Sequence, residues 1–181
     1  RNMGEYMGVV LDATGKTTGI TNTKFPAYFG VDDSRKVEDF MHELDTGRLD
    51  DFTFIMIGND HTLGRTPGEP TPEYMVADND LATGKIVEAI SKSPYWKNTA
   101  IFIFEDDPQG NADHIDAHRS ICLVVSPWTK RGANSKVRHS FPSLHRTSSM
   151  ILGAPPLSKL YQESAGIYEV FDTTPGNIEP Y

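Results

Sequence analysis

The chain has 181 residues with a formal net charge of -8, and 38% of its residues are hydrophobic, the balance of an ordinary globular protein of one domain. Such an acidic chain does not suit nucleic acid, whose binding depends on neutralising phosphates with Lys and Arg. No apolar run approaches the roughly 18 residues of a membrane-spanning helix. A single cysteine excludes a disulfide within the chain.

The first third of the chain predicts one short strand, a long loop and one helix. We expect the strand around Gly8 to Leu11, followed by a polar stretch in which glycines and a proline break any period. Asp33 and Ser34 form a plausible N-cap pair, and Gly47 closes the helix that follows. The apolar residues of that helix recur at helical spacing: Val37, Phe40, Met41 and Leu44.

Apolar runs and helical patterns then alternate along the chain. Phe52 to Ile57 reads as a strand that ends in Gly58-Asn59-Asp60-His61, and the prolines of residues 62–72 indicate an extended loop. The later elements are a helix from Tyr74 to Lys92, strands at Ile101–Phe104 and Ile121–Val125, a basic loop over residues 129–140 and a helix over residues 144–152.

These apolar runs have the composition of buried strands. Buried strands that alternate with helices argue for an α/β fold with a mainly parallel sheet. Cys122 lies within the last of the runs, so we expect it to be a buried thiol.

Acidic residues and histidines gather where two of the predicted strands end. Asp60 and His61 follow the strand at residues 52–57, whereas Asp106 and Asp107 follow the strand at residues 101–104. Adjacent parallel strands would bring both corners to one edge of the sheet, where ligands bind in open α/β folds. Further side chains of the same kinds follow the second corner: Asp113, His114, Asp116 and His118. Carboxylates and imidazoles crowded in this way indicate a divalent-cation site.

Simpler interpretations stand beside this one. The acids could form a solvated turn, and His61 could simply hydrogen-bond a backbone carbonyl. We read His42, His139 and His145 as surface or structural groups. The chain has no G-x-S-x-G sequence, which leaves a serine hydrolase with little support. The basic loop is more typical of a solvated segment than of a phosphate-binding patch.

Several unusual strings occur along the chain in this order: GNDHT, PGEPTP, MVADNDLATGKIVEAI, SPYWKNTAIFIFEDDPQGNADHIDAHR, SPWTKRG and LHRTSSMILGAPPLS. Their sequence and order resemble the phosphoesterase family of bacterial phospholipase C and acid phosphatase enzymes, within the alkaline phosphatase superfamily. The resemblance runs from about Arg1 to Pro175.

The resemblance implies a three-layer α/β/α sandwich and metal-dependent phosphoryl transfer through a covalent intermediate on Ser or Thr. The Asp106-Asp107 pair occupies the position of one metal-binding pair, while Asp60 and His118 fit the positions of another. His61 and His114 would serve as further ligands or as acid/base groups. The cation would be Zn²⁺, Ca²⁺, Mg²⁺ or Mn²⁺, and the substrate a phosphate-ester small molecule or a lipid head group.

The family's first metal-binding motif, an acid-Asn string, and its nucleophile do not appear in the sequence. We expect both upstream of Arg1, so that residues 1–181 would be a single domain forming the C-terminal part of a phosphoesterase catalytic domain, with little activity alone. The resemblance also implies a periplasmic or secreted protein. An apolar surface left exposed where the missing part docks would favour a homo-oligomer. The alternatives are an inactive phosphatase-like binding or structural module, and a sulfatase or phosphonate hydrolase of the same superfamily.

Overall fold

The computed structural model describes residues 6–8, 20–22, 32–47, 49–106, 119–176 and 178–181. The chain divides into two compact units. The N-terminal unit comprises Arg1–Ser93 together with Tyr181, and the C-terminal unit comprises Pro94–Pro180. The single domain expected over residues 1–181 stays a prediction beside this division.

The N-terminal unit is built mainly from two helices. Its elements are β1 (Tyr6–Gly8), β2 (Ile20–Asn22), α1 (Asp33–Asp45), a 3₁₀ turn (Asn59–His61) and α2 (Pro72–Lys92). β1 pairs with β2 in an antiparallel ladder. The Thr71 hydroxyl accepts a hydrogen bond from the backbone N–H of Tyr74 at the start of α2, and Pro72 fills the first helical position, where no N–H is needed.

Helices α1 and α2 pack against each other and supply the core of this unit. Both predicted helices are confirmed, because apolar residues at helical spacing form one face of each. The buried apolar residues are Val37, Phe40 and Leu44 of α1 and Met75, Ala82, Ile86 and Ile90 of α2.

The predicted strand at residues 52–57 is wrong, since this segment forms no ladder with any other part of the described chain. Its side chains nevertheless alternate. Phe54 and Met56 are exposed, whereas Thr53, Ile55 and Ile57 are half-buried. A period of two suits an extended segment packed on one side, but a strand also requires a partner for its backbone N–H and C=O groups.

The C-terminal unit contains the predicted strands at residues 101–104 and 121–125 and the last predicted helix, whereas the strand predicted around Gly8 to Leu11 lies mostly outside the described residues. The elements of the C-terminal unit are a 3₁₀ turn (Trp96–Asn98), β3 (Ile101–Phe104), β4 (Cys122–Val125), α3 (Phe141–Ile151) and α4 (Lys159–Glu163). β3 and β4 are antiparallel, with Ile101 opposite Val125 and Phe104 opposite Cys122. The sequence predicts a mainly parallel sheet, and the antiparallel pairing of β3 with β4 differs from that prediction. A pair of strands is too small to test the three-layer sandwich, which stays a prediction.

A hydrophobic cluster of Leu144, Ile167 and Val170 covers one end of the β3–β4 ladder in the described part of the C-terminal unit. Phe102, Val124 and Phe171 pack against this cluster. At the other end Phe104, Cys122 and Leu123 are exposed. The expectation of fully buried strands and of a buried Cys122 thiol is therefore wrong, because the side chains that cover Phe102 and Val124 do not extend along the whole ladder.

Helix α3 is fixed at both its start and its middle. Ser140 and Ser143 form a reciprocal capping box at its first turn. Further along, the Thr147 hydroxyl donates to the Ser143 carbonyl at 2.7 Å and accepts from the backbone N–H of Ile167 at 2.8 Å. This buried hydroxyl thus connects α3 to the segment that supplies Ile167 to the core.

Candidate functional site

Buried carboxylates from both helices of the N-terminal unit hold the turn that carries Asp60 and His61. Asn59, the first residue of the turn, is only 2% exposed. Its backbone N–H donates to the Asp33 carboxylate at 2.7 Å, and its side-chain amide donates to the Asp78 carboxylate at 2.9 Å. Since Asp33 begins α1 and Asp78 lies on α2, the two helices jointly fix the start of the turn.

Asp33 is fully buried, and its charge is compensated within the same helix. Lys36, one turn further along α1 and itself buried, donates its ammonium to Asp33 Oδ1 at 2.7 Å. The other oxygen, Oδ2, accepts from the backbone N–H of Asn59 and from the side-chain amide of Asn79 at 3.1 Å. A buried carboxylate is tolerated when it is paired and hydrogen-bonded in this way.

Asp78 is buried on the face of α2 that meets the start of α1. Besides the Asn59 amide, it accepts hydrogen bonds from the Ser34 hydroxyl and from the backbone N–H groups of Asp33 and Ser34. Burial acts to raise the pKa of Asp78, but the hydrogen bonds from Ser34 and Asn59 and from the two backbone groups outweigh it. The pKa of this carboxyl is therefore lowered from its ordinary value.

Sequence reasoning missed these two acids as parts of the site. The sequence predicts an N-cap role for Asp33, whereas the N-cap of α1 is Asp32. Asp78 falls among the apolar positions of α2, three residues after the buried Met75. A carboxylate on the buried face of an amphipathic helix requires partners, and this was the signal that could have found it.

The two predicted site residues of this turn differ in exposure. Asp60 is half-buried, and its Oδ1 accepts from the backbone N–H of His61 at 3.1 Å and from the Asn79 amide at 3.5 Å. His61 is exposed, and its Nδ1 lies 3.0 Å from the Thr62 carbonyl oxygen. Because a carbonyl only accepts, Nδ1 must carry the proton in this contact, which places the lone pair of the neutral ring on Nε2.

The contact from His61 to a backbone carbonyl agrees with the simpler interpretation of this residue. It is also the arrangement that orients metal-binding histidines, in which one ring nitrogen donates to a carbonyl while the other coordinates the ion. The geometry therefore suits both a structural role and a ligand or acid/base role at Nε2.

The residue after the turn has a strained backbone. Thr62 has φ 58° and ψ 167°, a region that glycine occupies with ease and a β-branched residue does not. Its hydroxyl accepts from the backbone N–H of Gly64 at 3.3 Å. The Thr62 carbonyl that accepts the hydrogen bond from His61 Nδ1 therefore belongs to a residue with unfavourable backbone dihedral angles.

The second predicted corner lies in the C-terminal unit. Asp106 is exposed and follows β3, as the sequence indicated. One residue earlier, the Glu105 carbonyl accepts a hydrogen bond from the Ser120 hydroxyl at 2.7 Å. Asp107, His114 and His118, together with Asp113 and Asp116, lie outside the described residues.

The chemistry of Asp60 and His61 fits a divalent cation, since a carboxylate oxygen and an imidazole nitrogen are common ligands of Zn²⁺ and Mn²⁺. Within the described ranges, no three His, Cys, Asp or Glu side chains come together as a cation site. A complete ligand set would thus need residues beyond these ranges. The predicted meeting of the two corners stays a prediction.

The remaining histidines have surface or structural surroundings. His42 is exposed on α1. His145 stacks on the Tyr161 ring, with 4.8 Å between ring centroids. His139 Nε2 lies 2.7 Å from Glu169 Oε1 in the C-terminal unit. These positions match the predicted roles.

Glu169 is the most strongly shifted carboxyl in the described part of the C-terminal unit. Hydrogen bonds from the Ser135 hydroxyl and from His139 lower the pKa of Glu169 to about 2. Lys130 donates its ammonium to the backbone carbonyl of the same residue at 2.8 Å. Glu169 therefore holds the loop over residues 129–140, whose basic side chains are solvent-exposed as predicted: Lys130, Arg131, Lys136 and Arg138.

None of the helices that the structure describes is both long and apolar enough to cross a bilayer, in line with the prediction of no transmembrane segment. In comparisons with known proteins, no family model, no curated protein and no solved structure matches the chain.

Proposed function

We propose that the protein hydrolyses phosphate esters with the help of one or more divalent cations, with a phosphomonoester, a phosphodiester or a phospholipid head group as its substrate. The observation that supports this most directly is the turn at Asn59–His61. Two buried carboxylates fix its first residue, and a carboxylate and an imidazole follow at the next two positions. A binding site requires that its ligand-bearing segment be held by packed and hydrogen-bonded neighbours, and the two carboxylates supply this support through Asn59.

In this proposal Asp60, Asp106, Asp107 and His118 hold the cation. When bound, the cation supplies a positive charge that stabilises the phosphoryl oxygens as negative charge develops on them. Asp60 contributes a carboxylate whose orientation is supported by Asn79. The acidic side chains would otherwise repel an anionic substrate, which is why a cation is needed at this place.

His61 and His114 are the candidates for proton transfer. The contact between His61 Nδ1 and the Thr62 carbonyl holds the ring in one orientation. Protonated at Nε2, His61 would donate this proton to the leaving alkoxide, and in the neutral form the same nitrogen would accept a proton from water. The resemblance places a Ser or Thr nucleophile ahead of Arg1, so residues 1–181 are proposed to act together with that segment.

The test uses a protein that contains this chain and its upstream segment. Alanine at Asp106 should lower hydrolysis of p-nitrophenyl phosphate or bis(p-nitrophenyl) phosphate by at least about a hundredfold, the scale of losing a group that stabilises developing charge. Asp80→Ala is the matched control, because Asp80 is exposed on α2.

Unchanged activity in Asp106→Ala would rule out its role as a ligand. A panel with aryl sulfates and phosphonates, assayed alongside, separates a phosphoesterase from the other reactions of the superfamily. Bound cation without turnover of any substrate in this panel would favour the inactive binding module.

A further inference from the structure

We infer that Asp33 is a positioning residue for the Asp60–His61 turn, and that its Oδ2 oxygen sets the affinity of this turn for a divalent cation. The inference rests on the proposed function, since it assigns the support of the site rather than a new ligand. Asp33 begins α1 and is fully buried, so it acts only through the groups that it contacts.

A single oxygen of Asp33 contacts both the backbone of the turn and the amide side chain that supports Asp60. Asp33 Oδ2 accepts from the Asn59 backbone N–H at 2.7 Å and from the Asn79 side-chain amide at 3.1 Å. The same amide nitrogen of Asn79 lies 3.4 Å from the Ile57 carbonyl oxygen and 3.5 Å from Asp60 Oδ1. Asp33 thus fixes the backbone before Asp60 directly and orients the amide that contacts the Asp60 carboxylate.

The two oxygens of Asp33 have separable roles. Oδ1 receives the Lys36 ammonium at 2.7 Å, and this ion pair compensates the buried charge. Oδ2 makes the contacts with Asn59 and Asn79. Replacing the ion pair by neutral side chains should therefore leave the turn in place, provided that an oxygen remains where Oδ2 lies.

A pair of double variants isolates this oxygen. Asp33→Asn with Lys36→Met removes both charges but retains a carbonyl oxygen that can accept from Asn59 and Asn79. Asp33→Ala with Lys36→Met removes the same charges and the oxygen as well. Mn²⁺ affinity of the full chain is measured by isothermal titration calorimetry, and the amide signals of residues 60 and 61 are followed by NMR.

The Asn variant should bind Mn²⁺ like the wild type and keep the two amide signals in place. The Ala variant should lose about tenfold in affinity, the scale of removing a group that orients a metal ligand, and both signals should move. A folded Ala variant with wild-type affinity and unmoved signals would overturn the inference. If the Ala variant does not fold, Asn79→Ala, at a half-buried position, removes the contact with Asp60 and should weaken binding in the same way.

Asp60→Ala separates the inference from the proposed function. Weakened Mn²⁺ binding in Asp60→Ala, with equal affinities in the two double variants, would contradict only the role of Asp33. Unchanged binding in Asp60→Ala would contradict the metal role of the turn itself, and the positioning role would fall with it. Asp39→Ala, on the exposed side of α1, is the control and should bind like the wild type.

Discussion

The backbone N–H of Asn59 donates to Asp33 Oδ2 across 2.7 Å, although 26 positions of the sequence separate the two residues. This hydrogen bond joins the start of a helix to a turn that has no ladder of its own. The stability of the turn therefore depends on the packing of α1 against α2, and changes in that core should reach the candidate site.

Met75→Ala tests the contribution of this core. Met75 is fully buried on α2, and its truncation should lower the free energy of unfolding by about 2–5 kcal/mol, because both apolar burial and close packing are lost. Met56→Ala is the matched control, since Met56 is 50% exposed and should change the free energy far less. Urea denaturation followed by circular dichroism measures both. Equal losses in the two variants would contradict the description of the core.

Asp78→Asn tests the second buried carboxylate. The amide NH₂ would face the donors of Asn59 and Ser34, so we expect a loss of about 1–3 kcal/mol in the free energy of unfolding at neutral pH. Asp80→Asn, exposed on the same helix, should be neutral. The pKa of Asp78 is lowered in the folded state, so its stabilisation is present above its ordinary value of 3.8 and is lost as pH falls through the lower folded value.

The difference in unfolding free energy between the wild type and Asp78→Asn should accordingly shrink below pH 3.8. Denaturation curves at several pH values would measure it. A difference that stays constant down to the acid limit would show that the carboxylate charge is not what stabilises this contact.

The contacts of Glu169 in the C-terminal unit should also make a contribution to stability that is lost in acid. Its folded pKa of about 2 lies below the ordinary 4.5, so the stabilisation is complete above pH 4.5 and is lost as pH falls toward 2. Glu169→Gln should remove this part of the pH dependence. Fluorescence follows it directly, because both tryptophans of the chain, Trp96 and Trp128, belong to this unit.

Glu163→Gln, on the exposed surface of α4, is the matched control and should retain the wild-type pH profile. If Glu169→Gln also retained the wild-type slope between pH 4.5 and 2, the contacts of Glu169 with Ser135 and His139 would not contribute to stability.

Thr62→Gly tests the strained backbone next to the candidate site. Relief of the strain should exceed the entropy that glycine loses on folding, giving a gain of about 1 kcal/mol in the free energy of unfolding. Thr66→Gly, four residues along the same loop and without a positive φ, should instead be destabilising. A loss of stability in Thr62→Gly would contradict the strain inferred at this residue.

The helices and the apolar run of β3 were predictable because their signal is local. The pattern over residues 74–92 predicted α2 to within two residues of its start, and the run Ile101–Phe104 matches β3. The spacing of apolar residues can be recognised from consecutive positions without information about the segments that pack against them. The strand prediction at residues 52–57 failed because a strand needs a distant segment of the chain to complete its backbone hydrogen bonds.

The candidate site was predictable only at its surface. Asp60 and His61 stand out as neighbours in the sequence, whereas their support comes from Asp33 and Asp78, residues that folding brings beneath them. The mutual placement of Asp60 and Asp106 depends on two distant segments of the chain and stays a prediction. No local pattern reports such contacts, because they are set by how helices pack.

The hydrogen bond of the Asn59 amide to a buried carboxylate has a kinetic consequence. This amide proton is shielded from solvent deuterium although it lies in a turn of three residues. Its exchange therefore requires the N-terminal unit to open, rather than the fraying that usually exposes a loop. A short connecting segment thus acquires the slow exchange of the helices that hold it.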